Sequence, residues 1–510
     1  MTESANQPPP SRRVDPSRDV SLLILGASGD LTGRLLLPGV GALVAQGRAG
    51  QLRLHGVGNV DLSADEWRDR VATSFAKVGA KDQPEVKELL ENTRYRTADV
   101  TKPEELTSVL ADLQGQVAIF FALPPVVTMA ACAALQQVQL PADLRLVVEK
   151  PFGTDEASAR TFNETLTALV PEEHIHRVDH FLGKSTVLNL LGLRFGNRTV
   201  EPLLTANDVE RIDIVFDESL GLEDRAGYYD RAGALVDMIQ SHLLQVVALL
   251  TMEAPPALTS VDIRERKSAI LRCTRIWQND PVATSRRARY VAGNLAGRDL
   301  PAYVDEPGVD PANDTETFAE MTVEVANWRW AGVPIVLRSA KAIGRPRKEA
   351  VITFKPPNFL PEGFSADKDE RDRLFIGFDE TEQLRLDLTI NGPSDPYELD
   401  RASMSATFGP GELPAYGEVL AGVLTGDPML SVRGDSAEQC WRIVQPVIDA
   451  WRCGAVPMGE YPAGSSGPAN ALIDEDMPTL HEADEPEAQE PTEDGNAGSR
   501  DDRDPALDRN

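Results

Sequence analysis

Cysteine is scarce. Four thiols in 510 residues, Cys132, Cys273, Cys440 and Cys453, stand scattered without metal-ligand spacing. That excludes a zinc module and a disulfide-stapled scaffold, and it reads as reduced thiols in a cytoplasmic protein. Histidine is nearly as rare, with six copies. No uninterrupted apolar run is long enough to span a bilayer, and no signal peptide is read at the start. Positive charge is short too: 51 Lys and Arg face 80 Asp and Glu, a net charge of -29. Such a surface argues against nucleic-acid binding.

What is present suits a soluble two-domain protein. Hydrophobic residues make up 42% of the chain, and the length allows two substantial cores. The opening MTESANQPPPSRRVDPSRD is polar and Pro-rich, and residues 1–17 read as a disordered arm. From 474 to 510 there are 14 acidic side chains against 3 basic ones. The end of the chain, from 473, therefore reads as an acidic disordered tail.

Val20 to Leu25 is a short apolar run of the buried parallel-strand type. Gly26-Ala27-Ser28-Gly29-Asp30-Leu31 follows, and then Leu35, Leu36 and Leu37 suggest a helix. Strand, glycine turn and helix bring a pyrophosphate onto backbone amides, and a Cβ on those glycines would hold the phosphate away. Leu52 to Val60 reads as the second strand, whose end selects the coenzyme in such folds. Val117–Pro125 and Leu144–Phe152 read as further buried strands. Pro151 ends the latter and aims Lys150 at the carboxyl edge of the sheet. Alternating strands and helices in this half predict a doubly wound parallel sheet.

The densest polar cluster is IHRVDHFLGKSTVLNL, Ile175 to Leu190. Asp179, His180 and Lys184 fall within six residues. Gly183 lets backbone approach a ligand, and the histidine with the lysine makes a cationic pocket suited to phosphate. Taken on spacing alone, Asp179 reads equally well as a helix cap with Lys184 in solvent. Val209 to Phe216 alternates as a half-buried strand with Glu218 at its end. ALVDMIQSHLLQVVALLTME then has a helical pattern. On an α-helix Asp237 and His242 are separated by roughly 500° of rotation, about 140° between faces, and so are not neighbours on one stripe. Two tryptophans at alternate positions, Trp328 and Trp330, read as core or interface aromatics.

These segments together resemble the glucose-6-phosphate dehydrogenase family, whose enzyme opens the oxidative pentose phosphate pathway. GASGDL, ALPP, EKPFG, VDHFLGK, VDMIQSHLLQ, NWRWAGVP and the strand leading to Ser339-Ala340-Lys341 occur in the family's order, and the match runs from about Ser21 to about Leu472. The resemblance implies an NAD(P)-binding Rossmann-type α/β domain over 18–186. An α+β domain with a large, mainly antiparallel sheet follows over 187–472. It implies oxidation of glucose 6-phosphate at C1 to the lactone, in the cytoplasm, by a homodimer or homotetramer without a metal. His242 would be the base and Asp179 its orienting carboxylate. His180, Lys184, Glu218, Asp237, Lys341 and Lys150 would hold the sugar phosphate. Gly26, Ser28, Gly29, Asp30, Leu31, Asn59 and Lys150 would hold NADP or NAD. Two alternatives remain: a dehydrogenase of another hexose phosphate on the same fold, and a sugar-phosphate-binding relative without turnover.

The departures from the family pattern carry expectations of their own. Asn59 stands where an arginine usually meets the 2′-phosphate of NADP. Losing such a charge-assisted contact costs about 1.5–3 kcal/mol, roughly 10- to 100-fold in affinity. This predicts weakened NADP discrimination and even NAD preference, unless Arg53 or Arg34 supplies the charge from elsewhere. Gly33 replaces a basic residue, with Arg34 beside it. Phe181 replaces a tyrosine and removes one hydroxyl from the phosphate site. Pro346 replaces an arginine, for which Arg345 or Arg347 would stand in, and Ser241 mildly replaces an asparagine.

Overall fold

The computed structural model describes residues 19–480, except 81–82, 224–225, 365–369, 380–381, 394, 396, 409–410 and 475–476. The N-terminal arm and nearly all of the acidic tail lie outside the described residues.

Six strands build the first sheet: β1 (Asp19–Leu25), β2 (Gln51–Gly58), β3 (Arg94–Thr97), β4 (Gln116–Phe121), β5 (Leu144–Glu149) and β6 (Ile175–Val178). They lie parallel in the order β6-β5-β4-β1-β2-β3. β1 and β4 are continuous apolar runs because helices cover both faces, so no residue can alternate out to water. The strand order reverses at the β1–β4 pair, which opens a crevice at the carboxyl edge.

A short strand, Ser431–Val432, joins the outer edge antiparallel to β6. The helix Ala415–Thr425 just before it packs Val419, Leu420 and Val423 into the same core as Val20, Leu22 and Ile24. The C-terminal part of the chain thus returns to the first sheet and covers one of its faces.

The second sheet has ten strands and is mainly antiparallel. At its centre β7 (Val209–Asp217) lies between Ile335–Ala340, which runs parallel to it, and Lys348–Phe354, which runs antiparallel. Apolar packing continues past Leu472: Ile473 and Leu480 are buried against this sheet.

A helical path, Ala226–Thr251, kinked at Gly233 where φ is +66°, ties the two sheets together. It is long and apolar enough on average to cross a membrane, although Asp237 and His242 interrupt its apolar run. Most of it is buried inside the protein. Leu235, Ile239, Leu243 and Val247 share one core with Leu23 and Ile119 of the first sheet and Ile214 and Leu337 of the second. It is a core helix by packing. Of the two tryptophans, Trp330 is core and donates Nε1–H to Thr251 O at 2.8 Å, whereas Trp328 is fully exposed.

Candidate active site

The middle of that helical path, Leu235–Leu243, is a π-helix. Hydrogen bonds reach i→i+5 there, so residues five apart come nearly onto one face. This overturns the α-helical expectation of well-separated faces for Asp237 and His242, and each acts electrostatically on the other. π-helical turns cost backbone geometry and are often found at functional sites.

Asp179 leaves the end of β6 and caps the short 3-10 turn His180–Gly183, its Oδ1 accepting from Phe181 N at 2.9 Å. The same oxygen lies 2.6 Å from His242 Nδ1, across 63 residues of chain. Cap and imidazole partner are therefore one side chain. Both residues are almost wholly buried, Asp179 at 2% exposure and His242 at 1%. Burial drives the His242 pKa below 6.5, and the Asp179 carboxylate only partly opposes this. Burial also pushes on Asp179 from the other side, but His242 and the cations around it outweigh that, so it stays ionised. With Asp179 an acceptor, Nδ1 carries the imidazole proton and Nε2 is a free lone pair. Nε2 has no hydrogen-bond partner among the described residues.

The Phe181 ring stacks on His242 at 4.6 Å, and His180 meets His242 edge-on at 4.8 Å. Lys184 Nζ sits 4.6 Å from the Phe181 ring and 4.9 Å from Phe216. Residues 179, 180, 184 and 242 therefore surround one centre. Two expectations for this cluster need correction. His180 is not cationic: burial, then His242 and Lys150, lower its pKa to about 3, leaving Lys184 as the charge. At Gly183 the close approach that the structure shows is to protein backbone. A Cβ there would meet Ala415 O at 2.4 Å, so the glycine lets helix Ala415–Thr425 close on the turn.

Lys150, at the carboxyl end of β5, donates to Asp237 Oδ1 at 2.6 Å and to Asp237 O at 2.8 Å. Burial raises the Asp237 carboxyl, but Lys150 outweighs it and brings the pKa to about 2. The Lys150-Pro151 peptide is cis. Ser241 caps this arrangement by donating to Asp237 O at 2.6 Å. On the second sheet, register pairs Ala340 with Asp217, so the next residues, Lys341 and Glu218, emerge side by side and form an ion pair. Lys341 is also among the charges acting on Asp237. Arg347 is buried against Glu349 at 2.8 Å, whereas Arg345 is exposed.

The glycine turn lies at the β1–β4 crevice. Gly26 has φ +88°, and a Cβ on it would meet Ala122 O at 2.2 Å. The turn is thus glycine for closeness to β4 as much as for a phosphate. Asn59 is exposed just beyond β2. Arg34 pairs with Asp30 at 3.2 Å, and Arg53 bonds Gln114 and Asp19 at the opposite edge of the sheet.

Sequence reasoning missed three neighbours. Tyr416 stacks on His180 at 5.7 Å and hydrogen-bonds Glu149, whose pKa burial raises to about 7. Lys267 is buried with no hydrogen-bond partner for its Nζ among the described residues, and burial lowers its pKa to about 8 against the pull of Asp179. Arg70 approaches the glycine turn from the helix Ala64–Ala76. None has a local signal, since each meets the site only through tertiary packing.

A doubly wound parallel sheet with a glycine turn at its carboxyl edge, facing a buried imidazole–carboxylate pair, defines the class: a pyridine-nucleotide-dependent oxidoreductase. Residues 23–189 match the family model "Glucose-6-phosphate dehydrogenase, NAD binding domain", and residues 191–477 match "Glucose-6-phosphate dehydrogenase, C-terminal domain". The chain belongs to the glucose-6-phosphate dehydrogenase family. It is 35% identical to a glucose-6-phosphate 1-dehydrogenase of Gluconobacter oxydans, covering 91% of this chain and 98% of that one. With the enzyme of the same name from Rhizobium meliloti it shares 32% identity, covering 93% and 100%. A solved glucose-6-phosphate dehydrogenase in complex with glucose 6-phosphate superposes with a TM-score of 0.81 at 28% identity, covering 90% of this chain and 96% of that one.

Proposed function

We infer that the chain is a glucose-6-phosphate 1-dehydrogenase, oxidising glucose 6-phosphate at C1 to 6-phosphogluconolactone. One observation carries the chemistry: the 2.6 Å Asp179–His242 contact that leaves Nε2 open. His242 Nε2 takes the proton of the C1 hydroxyl. Asp179 fixes the tautomer and stabilises the imidazolium that forms. When bound, NAD or NADP supplies the hydride acceptor. The backbone of Gly26–Leu31, with Ser28 and Gly29 presented at the crevice, fits a pyrophosphate. Lys150 and Asp237 hold each other beside the histidine and align sugar and coenzyme. Lys184 supplies charge to the phosphate, with His180 a neutral donor, while Glu218 and Lys341 hold sugar or phosphate oxygens from the second sheet.

The test is reduction of NAD or NADP followed at 340 nm with glucose 6-phosphate and a panel of other hexose phosphates. Turnover of another hexose phosphate in preference to glucose 6-phosphate would overturn the substrate assignment. A neutral base below its usual pKa also fixes a pH profile. kcat/KM should rise with pH, level off with an apparent pKa below 6.5, and stay flat through neutrality. An acidic limb centred above pH 7 would remove His242 as the base.

Lys184→Ala should raise the KM for glucose 6-phosphate roughly 10- to 100-fold, the loss of one charge-assisted contact. kcat should change far less, since the phosphate is remote from C1. Initial-rate kinetics on the purified variant check this, and an unchanged KM would move the phosphate elsewhere.

A further inference from the structure

The coenzyme edge of the first sheet holds a cation that the motifs did not reveal. The helix Ala64–Ala76 begins with a capping box, in which Ser63 Oγ accepts from Glu66 N at 3.2 Å and Glu66 Oε2 accepts from Ser63 N at 2.8 Å. That fixes its start just after β2. One stripe of this helix faces the turn that follows β1. Ser74 Oγ donates to Gly33 O at 3.0 Å and Lys77 Nζ donates to Gly33 O at 3.2 Å. One turn earlier, Arg70 Nη2 donates to Gly29 O at 2.5 Å.

Gly33 makes this approach possible. A Cβ there would lie 3.0 Å from Arg70 Nη2 and 3.4 Å from its Cζ. The family resemblance leads one to expect a basic side chain at 33, and the Arg70 guanidinium fills that space from a different helix. The two positions are coupled, since a longer residue at 33 would displace Arg70.

Around Arg70 the ends of β1, β2 and β3 converge. Tyr95 on β3 donates to Val60 O at 2.7 Å, and its hydroxyl also hydrogen-bonds Ser28; Arg70 acts on it electrostatically. Asn59 is exposed at the end of β2. This is the corner where a dinucleotide fold meets the adenine ribose. Asn59 has no charge for a 2′-phosphate there. Arg34 makes an exposed ion pair with Asp30, and Arg53 lies at the other edge. Arg70 is half-buried, forms no ion pair among the described residues, and has an unbonded Nε. A guanidinium has five N–H donors in a fork suited to phosphate; here Nε is buried, and the terminal Nη1 and Nη2 groups carry donors beyond the one bond to Gly29.

We propose that Arg70 is the specificity-determining residue for the coenzyme, binding the 2′-phosphate of NADP in place of the arginine missing at 59. The chain then prefers the 2′-phosphorylated dinucleotide, against the expectation drawn from Asn59 alone. The proposal rests on the glycine turn being the coenzyme site.

Isothermal titration of the full-length chain separates the two. The probes are NAD, NADP, adenosine 5′-monophosphate and adenosine 2′,5′-bisphosphate. The wild type should bind the bisphosphate more tightly than the monophosphate, and NADP more tightly than NAD. Arg70→Ala should shrink both ratios roughly 10- to 100-fold. Arg70→Lys, which keeps the charge and the helix but not the planar fork, should retain an intermediate ratio. Thermal unfolding of each variant shows whether an affinity loss reflects misfolding. Ratios unmoved by Arg70→Ala, or shrunk no more than in Arg70→Lys, overturn the assignment while leaving the coenzyme site intact. A wild type that binds neither dinucleotide overturns the coenzyme site and the proposal together.

Discussion

Asparagine at position 242 is expected to lower kcat by on the order of 10²–10⁴-fold, the contribution of a positioned general base, while the Kd for glucose 6-phosphate moves less than about tenfold. The substitution suits this centre better than alanine. Asn Nδ2 can donate to Asp179 Oδ1 in place of the imidazole Nδ1–H, so the buried carboxylate keeps a partner. What is lost is the Nε2 lone pair, and with it any proton acceptor at C1. Alanine would instead leave Asp179 with only the Phe181 N–H and open a cavity beside Phe181 and His180, both of which pack on the imidazole. Rapid-mixing kinetics with glucose 6-phosphate, together with equilibrium dialysis of the same variant, measure both quantities. If kcat survives within about fivefold, another group takes the proton. Lys267 is then the next residue to test, because burial brings its pKa to about 8 and its Nζ has no partner among the described residues.

The contrast between His242 and its surroundings shows what could be read in advance and why. The first sheet was legible because β1, β4 and β5 are buried on both faces and must be continuous apolar runs. The glycine turn was legible for a similarly local reason. The Asp179–His242 pair was not readable from spacing, since 63 residues separate its members. It emerged only from the resemblance, and the contact then appeared at 2.6 Å. The π-helix had no signal at all: a shift from i→i+4 to i→i+5 bonding changes which residues share a face without asking for a different composition. The charge on His180 was misjudged because burial is a tertiary property, and nothing in VDHFLGK says that Tyr416 will cover the ring. Arg70 was hidden for the same reason in reverse. Gly33 looked like a lost cation, and only the packing of helix Ala64–Ala76 shows where a cation re-enters.

For Asp179→Asn the expected loss in kcat is on the order of 10³–10⁴-fold, the scale associated with amidating the orienting carboxylate of a histidine base. Two physical routes lead there, and the pH profile tells them apart from a merely structural loss. Asp179 Oδ1 now accepts both from Phe181 N and from His242 Nδ1. If the new amide turns its NH2 toward the ring, Nδ1 must become the acceptor, Nε2 carries the proton, and no base remains. If it keeps its oxygen there, the tautomer survives, but the imidazolium formed during reaction loses its counter-charge. In that second case the residual activity carries a signature. Asp179 is the main group raising the His242 pKa against burial, with Asp237 a smaller one, so its removal leaves burial opposed by Asp237 alone and the acidic limb of kcat/KM moves to lower pH. A structural role alone would predict something different: a lower Tm with the limb unmoved. Tm should fall as well, because the depressed Asp179 pKa means that the fold stabilises this carboxylate and its removal leaves buried Lys267 without a counter-charge, so it is the limb rather than Tm that separates the two roles. Loss of turnover with a limb displaced toward acid, in a variant still folded at the assay temperature, would place Asp179 in the chemistry through His242. A retained limb position would separate the two residues despite their contact.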